Sequence, residues 1–326
     1  MFVVGGEKDM LLEYTLSTGY DLTTLTYAGN KERYNLHISN ATGDPQPRGI
    51  AFNNDGTEMF ILGNAADEVN EYHLATAFDI STASHDSRID ITATVGTGPN
   101  DLKFSADGTK MFITNNTTTK IFVFTLTIGF DVITASLTST EDFSAYVNAK
   151  FRGLVFNPDG TKMLVISKGS NKKVNEFRLS TGFDLTTASY VANYDITSYE
   201  TDPHGVAFNN DGSTMYILGT TGDDVNEFTL PYAYSLVLPP TITVTAPNGG
   251  ETLTGGSTTT ITWTSVNISA NVKIEYSKDG FSSDTNTITT STTDDGSYIW
   301  TIPNDPSSTV TVRISDVADA TVNDVS

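Results

Sequence analysis

Pro47-Arg48-Gly49-Ile50-Ala51-Phe52, then Asn54-Asp55-Gly56-Thr57, Met59-Phe60-Ile61-Leu62-Gly63, Val69-Asn70-Glu71-Tyr72 and Phe78-Asp79-Ile80-Ser81-Thr82-Ala83-Ser84 form a phrase that the chain repeats three times afterwards. Its Asp55-Gly56 pair returns as Asp107-Gly108, Asp159-Gly160 and Asp211-Gly212, a step of 52 residues each time. A fixed period of this size marks a repeat architecture. Within one unit, Gly49–Phe52 is a short apolar inner strand, and Asp-Gly supplies the left-handed backbone a tight turn needs. Met59–Leu62 is apolar throughout, as a strand covered on both faces requires. Residues 69–74 alternate, so one face is buried. The stretch from His85 to Ile91 is polar and reads as an outer edge, where charge blunts edge-to-edge pairing.

Four antiparallel strands per unit, with turn glycines at fixed offsets, predict β-propeller blades. Rungs of a β-solenoid are the structural alternative. Helix is excluded by glycine punctuation and by the lack of any long 3.6-residue period. Met1–Gly5 aligns with Met59–Gly63, and Leu11–Tyr14 with Val69–Tyr72, so the chain enters a repeat at its second strand. Five units are in view and three are complete. We expect both ends to be cut, with blades missing upstream and the polypeptide continuing into a larger one.

Phe-x-x-Asp-Gly-Thr-Lys-Met-Phe-Ile resembles the blade signature of YVTN and TolB-like propellers, most closely at Asn157-Pro158-Asp159-Gly160-Thr161-Lys162. The longer unit resembles repeats of marine bacterial surface proteins and phage tail-associated proteins. This resemblance covers residues 1–230 and implies a fold; propellers host many unrelated activities.

Residues 231–240, ending Leu238-Pro239-Pro240, read as a stiff linker, because two prolines cannot continue a central strand. Residues 241–326 hold at least five short alternating strands and read as a β-sandwich. Trp263 and Trp300, the two tryptophans, are expected in its core, with a sugar-stacking platform as the functional alternative. Pro247-Asn248-Gly249-Gly250-Glu251, Ile261-Thr262-Trp263, Gly296-Ser297-Tyr298-Ile299-Trp300 and Val312-Arg313-Ile314-Ser315-Asp316 resemble the Ig-like module of Ser/Thr-rich GPI-anchored wall proteins. That resemblance implies an extracellular spacer.

The formal charge of −21, with 18 Lys and Arg spread over 326 residues, argues against nucleic acid. With no cysteine, thiolate metal sites and disulfides are excluded. No apolar run reaches the ~18 residues of a membrane helix. Among the four histidines no pair has metal-ligand spacing, and no nucleophile elbow or phosphate loop occurs.

The best site candidates lie just before each inner strand, where the repeats diverge: Arg48, Asn100, Arg152 and His204, with Asp44, Asp101 and Asp202 nearby. They would ring one mouth of a central channel; the alternative is solvated loop residues in drifted repeats. Asp67, Glu68, Asp223 and Asp224 are weak candidates for calcium, which takes ~6–8 oxygen ligands. Asp21, Asp79, Asp131 and Asp184 follow an aromatic and are expected to accept backbone N–H bonds in a turn. The sequence therefore favours a non-enzymatic recognition or adhesion protein, outside the cell, on its surface or on a virion. Its partner would be a cell-surface glycan or a protein ligand. A purely structural repeat segment is one alternative, and a calcium-dependent propeller hydrolase or lactonase is the other.

Overall fold

A computed structural model describes residues 1–5, 10–27, 46–147, 149–170, 172–221, 224–268 and 271–326, and the backbone of 33–35. Contacts divide it into two compact units, Met1–Val237 and Leu238–Ser326.

In the first unit each complete repeat becomes one four-stranded antiparallel sheet, paired in chain order from inner to outer strand. The second blade is typical: inner strand Pro47–Phe52, then Glu58–Gly63, Glu68–Leu74 and outer strand Ala83–Asp90. The third and fourth blades start from inner strands Pro99–Phe104 and Lys150–Phe156. The last has three strands, starting at Pro203–Phe208. The first has Phe2–Gly5, Met10–Glu13 and Arg33–Asn35. Its leading strand holds the second-strand register, as the sequence alignment requires.

Apolar second strands are the glue between blades. Met59, Phe60, Ile61 and Leu62 are buried, each contributing about 1.5–3 kcal/mol by leaving water. Phe60 packs on Phe104 of the next blade at 4.6 Å between ring centroids, Phe112 on Phe156 at 4.8 Å, and Phe2 on Phe52 at 4.7 Å. A second ring, Phe130, stacks on Phe60 across the same boundary at 6.2 Å. In the corresponding place between the last and first blades, Tyr216 donates its hydroxyl hydrogen bond to the Tyr20 carbonyl at 2.7 Å. Tyr20 donates to Asn210 Oδ1 beside it. The first and last repeats thus touch through these residues, as blades around an axis do and the end rungs of a solenoid do not.

The outer strand Ala83–Asp90 alternates between exposed and half-buried, as its polar sequence predicts. Each of Asp21, Asp79, Asp131 and Asp184 caps a short 3-10 turn, accepting from the N–H two residues on at 3.0–3.3 Å. The aromatic before each cap has positive φ, between 57° and 65°, and the rings of Phe78, Phe130 and Phe183 each cover a turn glycine. A Cβ on Gly108 would lie 2.2 Å from Phe130 Cδ2, so only glycine fits there.

The second unit is two antiparallel sheets over one core. One contains Thr241–Ala246, Thr258–Val266 and Ser297–Thr301; the other contains Asn271–Ser277, Asn286–Thr293, Thr311–Asp316 and Asn323–Val325. Trp263 and Trp300 are buried in that core at 3% and 6% exposure, so neither offers a stacking platform. Among the described residues, no helix is long and apolar enough to cross a membrane.

Candidate ligand site at the channel mouth

Positions 48, 100, 152 and 204 are repeat equivalents at the start of four successive inner strands, so the fold brings them to one end of the axis. Arg152 Nη1 donates to Asn100 Oδ1 at 3.1 Å and to His204 Nδ1 at 3.4 Å, joining three blades. Its Nη2 stands 4.0 Å from Asp202 Oδ1, and His204 Nε2 stands 3.6 Å from the same oxygen. Lys168 donates to that oxygen too. Burial, Arg152, Arg48 and Lys168 together push His204 down to about 4, against the raising effect of Asp202. His204 is therefore neutral at pH 7. With Nδ1 accepting from a guanidinium, its proton sits on Nε2, facing Asp202.

Arg152 is itself lowered, first by burial and then by the repulsion of Arg48. The charges acting on His204 are three cations and one carboxylate, a local positive excess in a chain of net charge −21. Arg48 Nε, Arg152 Nε and Asn100 Nδ2 are buried and find no acceptor among the described residues. Buried donors left unpaired are costly, so they mark a place where an acceptor belongs.

Asp101, expected on the rim, is turned into the wall. It occupies the position held by Gly49, Gly153 and Gly205 in the other blades. Its Oδ2 accepts from Leu154 N of the next blade at 2.9 Å, and its Oδ1 accepts from Leu102 N and Lys103 Nζ. Burial pushes its carboxyl up, with Lys103 opposing. Asp101 bridges inner strands and offers nothing to the mouth. Lys168, which the sequence reading passed over, stands where the other blades have Asn64, Asn116 and Thr220; that departure from the repeat was its only signal.

The calcium candidates do not assemble. Asp67 accepts from Gly98 N at 3.4 Å, Glu68 pairs with Arg88 at 3.6 Å, and Asp224 accepts from Asn226. Asp223 and Asp44 lie outside the described residues. Among the described residues no group of three or more His, Asp or Glu could hold a metal ion.

Along the axis, past the mouth, runs a cavity of about 530 Å³. Arg48 reaches it; Arg152, His204 and Asp202 do not line it.

No protein-family model matches the chain, and no curated protein matches it. Solved structures similar to it include a chain named as a candidate 6-phosphogluconolactonase of Bacteroides uniformis, at 15% identity and TM-score 0.43, covering 70% of this chain and 65% of that one. The periplasmic gluconolactonase of Pseudomonas aeruginosa matches at 16% identity and TM-score 0.39, covering 70% and 62%. The β-propeller domain of Cps50 (Swd1) from Myceliophteria thermophila matches at 12% identity and TM-score 0.39, covering 61% and 59%. The chain spans less than two thirds of the length of these structures. The expectation of a non-enzymatic protein is corrected by this company, which includes proteins named as lactonases. Nothing in it supports adhesion, a phage tail or an Ig-like wall protein. The chain is an all-β protein with a propeller-type fold.

Proposed function

We propose that the channel mouth binds a sugar-acid lactone and hydrolyses it. The observation that supports this is the convergence of Arg48, Asn100, Arg152 and His204 on one end of the axis, with more positive than negative charge and three unpaired buried donors. Such donors suit an oxygen that gains negative charge during reaction. Arginine forks also hold the carboxylate that the reaction leaves behind.

In this reading a water attacks the lactone carbonyl carbon, and Arg152 stabilises the oxyanion. Asp202, oriented by Lys168 and the His204 Nε2–H, accepts the water's proton. The ring C–O bond then breaks, and the ring oxygen takes up that proton as a hydroxyl. The product is the open hydroxy acid. The C-terminal two-sheet unit, with its Ig-like sequence marks, serves as a spacer in an exported chain.

The test is acid release from aldonic δ-lactones, followed with a pH indicator against spontaneous opening. Arg152→Ala and Asp202→Asn should each lower the rate at least about tenfold, the loss expected when one oxyanion donor or one proton acceptor is removed, with ellipticity unchanged. A rate equal to buffer would sink the hydrolytic reading. Calorimetry with the open acid separates the two halves, because binding without turnover keeps the ligand class and removes the reaction.

A further inference from the structure

We infer that Glu200 is a positioning residue: its buried carboxylate grips the backbone of Asp202 and so aims the Asp202 side chain at Lys168, Arg152 and His204. The inference rests on the hydrolytic reading, in which Asp202 takes the proton of the attacking water.

Glu200 stands where the repeat holds a buried valine. Its N–H donates to Ile196 O at 2.9 Å, as Val95 N does to Ile91 O at 2.8 Å and Val147 N to Phe143 O at 3.0 Å. Val95 and Val147 belong to the apolar cores between blades. Glu200 is 1% exposed at the same place, and its Oε2 finds no donor among the described residues. A buried carboxylate costs far more than the valine it replaces, so the fold alone does not call for it.

What it holds is Asp202. Glu200 Oε1 accepts from Asp202 N at 2.6 Å and from Thr221 N at 3.3 Å. The connection from Ile196 to Pro203 is one residue shorter than that from Ile91 to Pro99. Asp202 O in turn accepts from Thr220 N at 3.1 Å, a bond that Asn64 N and Asn116 N make in the second and third blades. With its N–H and its carbonyl both tied, Asp202 has little backbone freedom left. Its Oδ1 stays among Lys168 Nζ, His204 Nε2 and Arg152 Nη2.

The third blade ties the same loop without a carboxylate. There Asn115 Nδ2 donates to Val95 O at 3.0 Å and to Thr97 O at 3.1 Å, and Asn115 Oδ1 accepts from Thr117 N at 2.8 Å. In the last blade the counterpart of Asn115 is Gly219. The Glu200 carboxylate fills the space left there: a Cβ on Gly219 would stand 1.9 Å from Oε2. Thr221 N, the counterpart of Thr117 N, goes to Glu200 instead. The last blade thus has an anion on the loop in place of a neutral amide on the second strand, and gains by it the bond to Asp202 N.

Glu200→Val combined with Gly219→Asn copies the third blade, so the loop regains a tie while Asp202 N loses its acceptor. On an aldonic δ-lactone kcat should fall at least about tenfold, because a small misplacement of a reacting group is that costly. KM, set by Arg48, Asn100 and Arg152, should stay within about twofold. Glu200→Gln, whose Oε1 still accepts from both amides, should keep kcat within about threefold. The ring nitrogen signals of His204 at pH 7, assigned by their loss in His204→Asn, report the placement of Asp202 without turnover. They should move in the double variant and stay in Glu200→Gln. Glu200→Asp, too short to reach both amides, is read in the same way where the double variant does not fold. A parent without turnover sinks the hydrolytic reading alone, and the His204 signals then decide the positioning by themselves. Full kcat in the folded double variant, His204 signals that it leaves unmoved, or an equal loss in Glu200→Gln would each overturn the proposal.

Discussion

The carboxylate of Glu71 accepts a 3.1 Å hydrogen bond from the backbone N–H of Val132, which opens the 3-10 turn of the following blade. The recurrent Val-Asn-Glu-Tyr glutamate is thus a staple between blades. Glu176 does the same for Leu236 N at 2.7 Å, and Glu13 reaches Ile80 N at 3.5 Å. In the third blade the position is Val123, so the staple is absent there. Burial pushes the Glu71 carboxyl up while the Val132 and Ser87 bonds oppose it.

Glu71→Ala leaves the buried Val132 N–H and the Ser87 hydroxyl without their acceptor. We expect a loss of about 1–3 kcal/mol in urea unfolding. Glu71→Val, which copies the third blade, should cost less than Glu71→Ala by restoring apolar contact. Equal losses would mean that packing contributes nothing at this boundary.

Gly108 has φ of +71° and lies under the Phe130 ring. Gly108→Ala should cost about 2–4 kcal/mol from left-handed strain and ring displacement together. Gly5→Ala, where a Cβ meets nothing within 4 Å, should be neutral by the same thermal melt.

His204 is held near 4 against an ordinary 6.5. The unfolded chain takes up a proton as the pH falls through 6.5, and the folded protein resists until about 4. Stability from this group is thus complete above 6.5 and is lost between 6.5 and 4, on the order of 2–3 kcal/mol. Urea midpoints at pH 7 and pH 4.5 should differ less in His204→Asn than in the parent; an equal difference would assign the acid sensitivity elsewhere.

Both tryptophans lie in Leu238–Ser326, so indole fluorescence reports that unit alone. Trp263 Nε1 donates to Asp294 Oδ1 at 2.6 Å, and Ser265 donates to the other oxygen. Trp263→Phe should lower the fluorescence-detected midpoint by about 1–2 kcal/mol. Hydrogen exchange at Phe60 in the propeller should stay unchanged.

The period of 52 residues, the Asp-Gly turns and the apolar second strands determined the blades, because strand pairing and turn geometry are local and each repeat restates them. The same alignment placed Arg48, Asn100, Arg152 and His204 at equivalent positions, so their convergence was legible once a rotation axis was assumed. Asp101 was not legible. It shares the rim's sequence neighbourhood, and only the close approach of two inner strands turns its carboxylate onto Leu154 N. Lys168 was hidden for the converse reason: it belongs to a second strand and joins the site across a blade boundary. The meeting of Tyr20 with Tyr216 likewise depends on which blades become neighbours. Residues almost 200 positions apart carry no local signal of that contact; packing around the axis decides it.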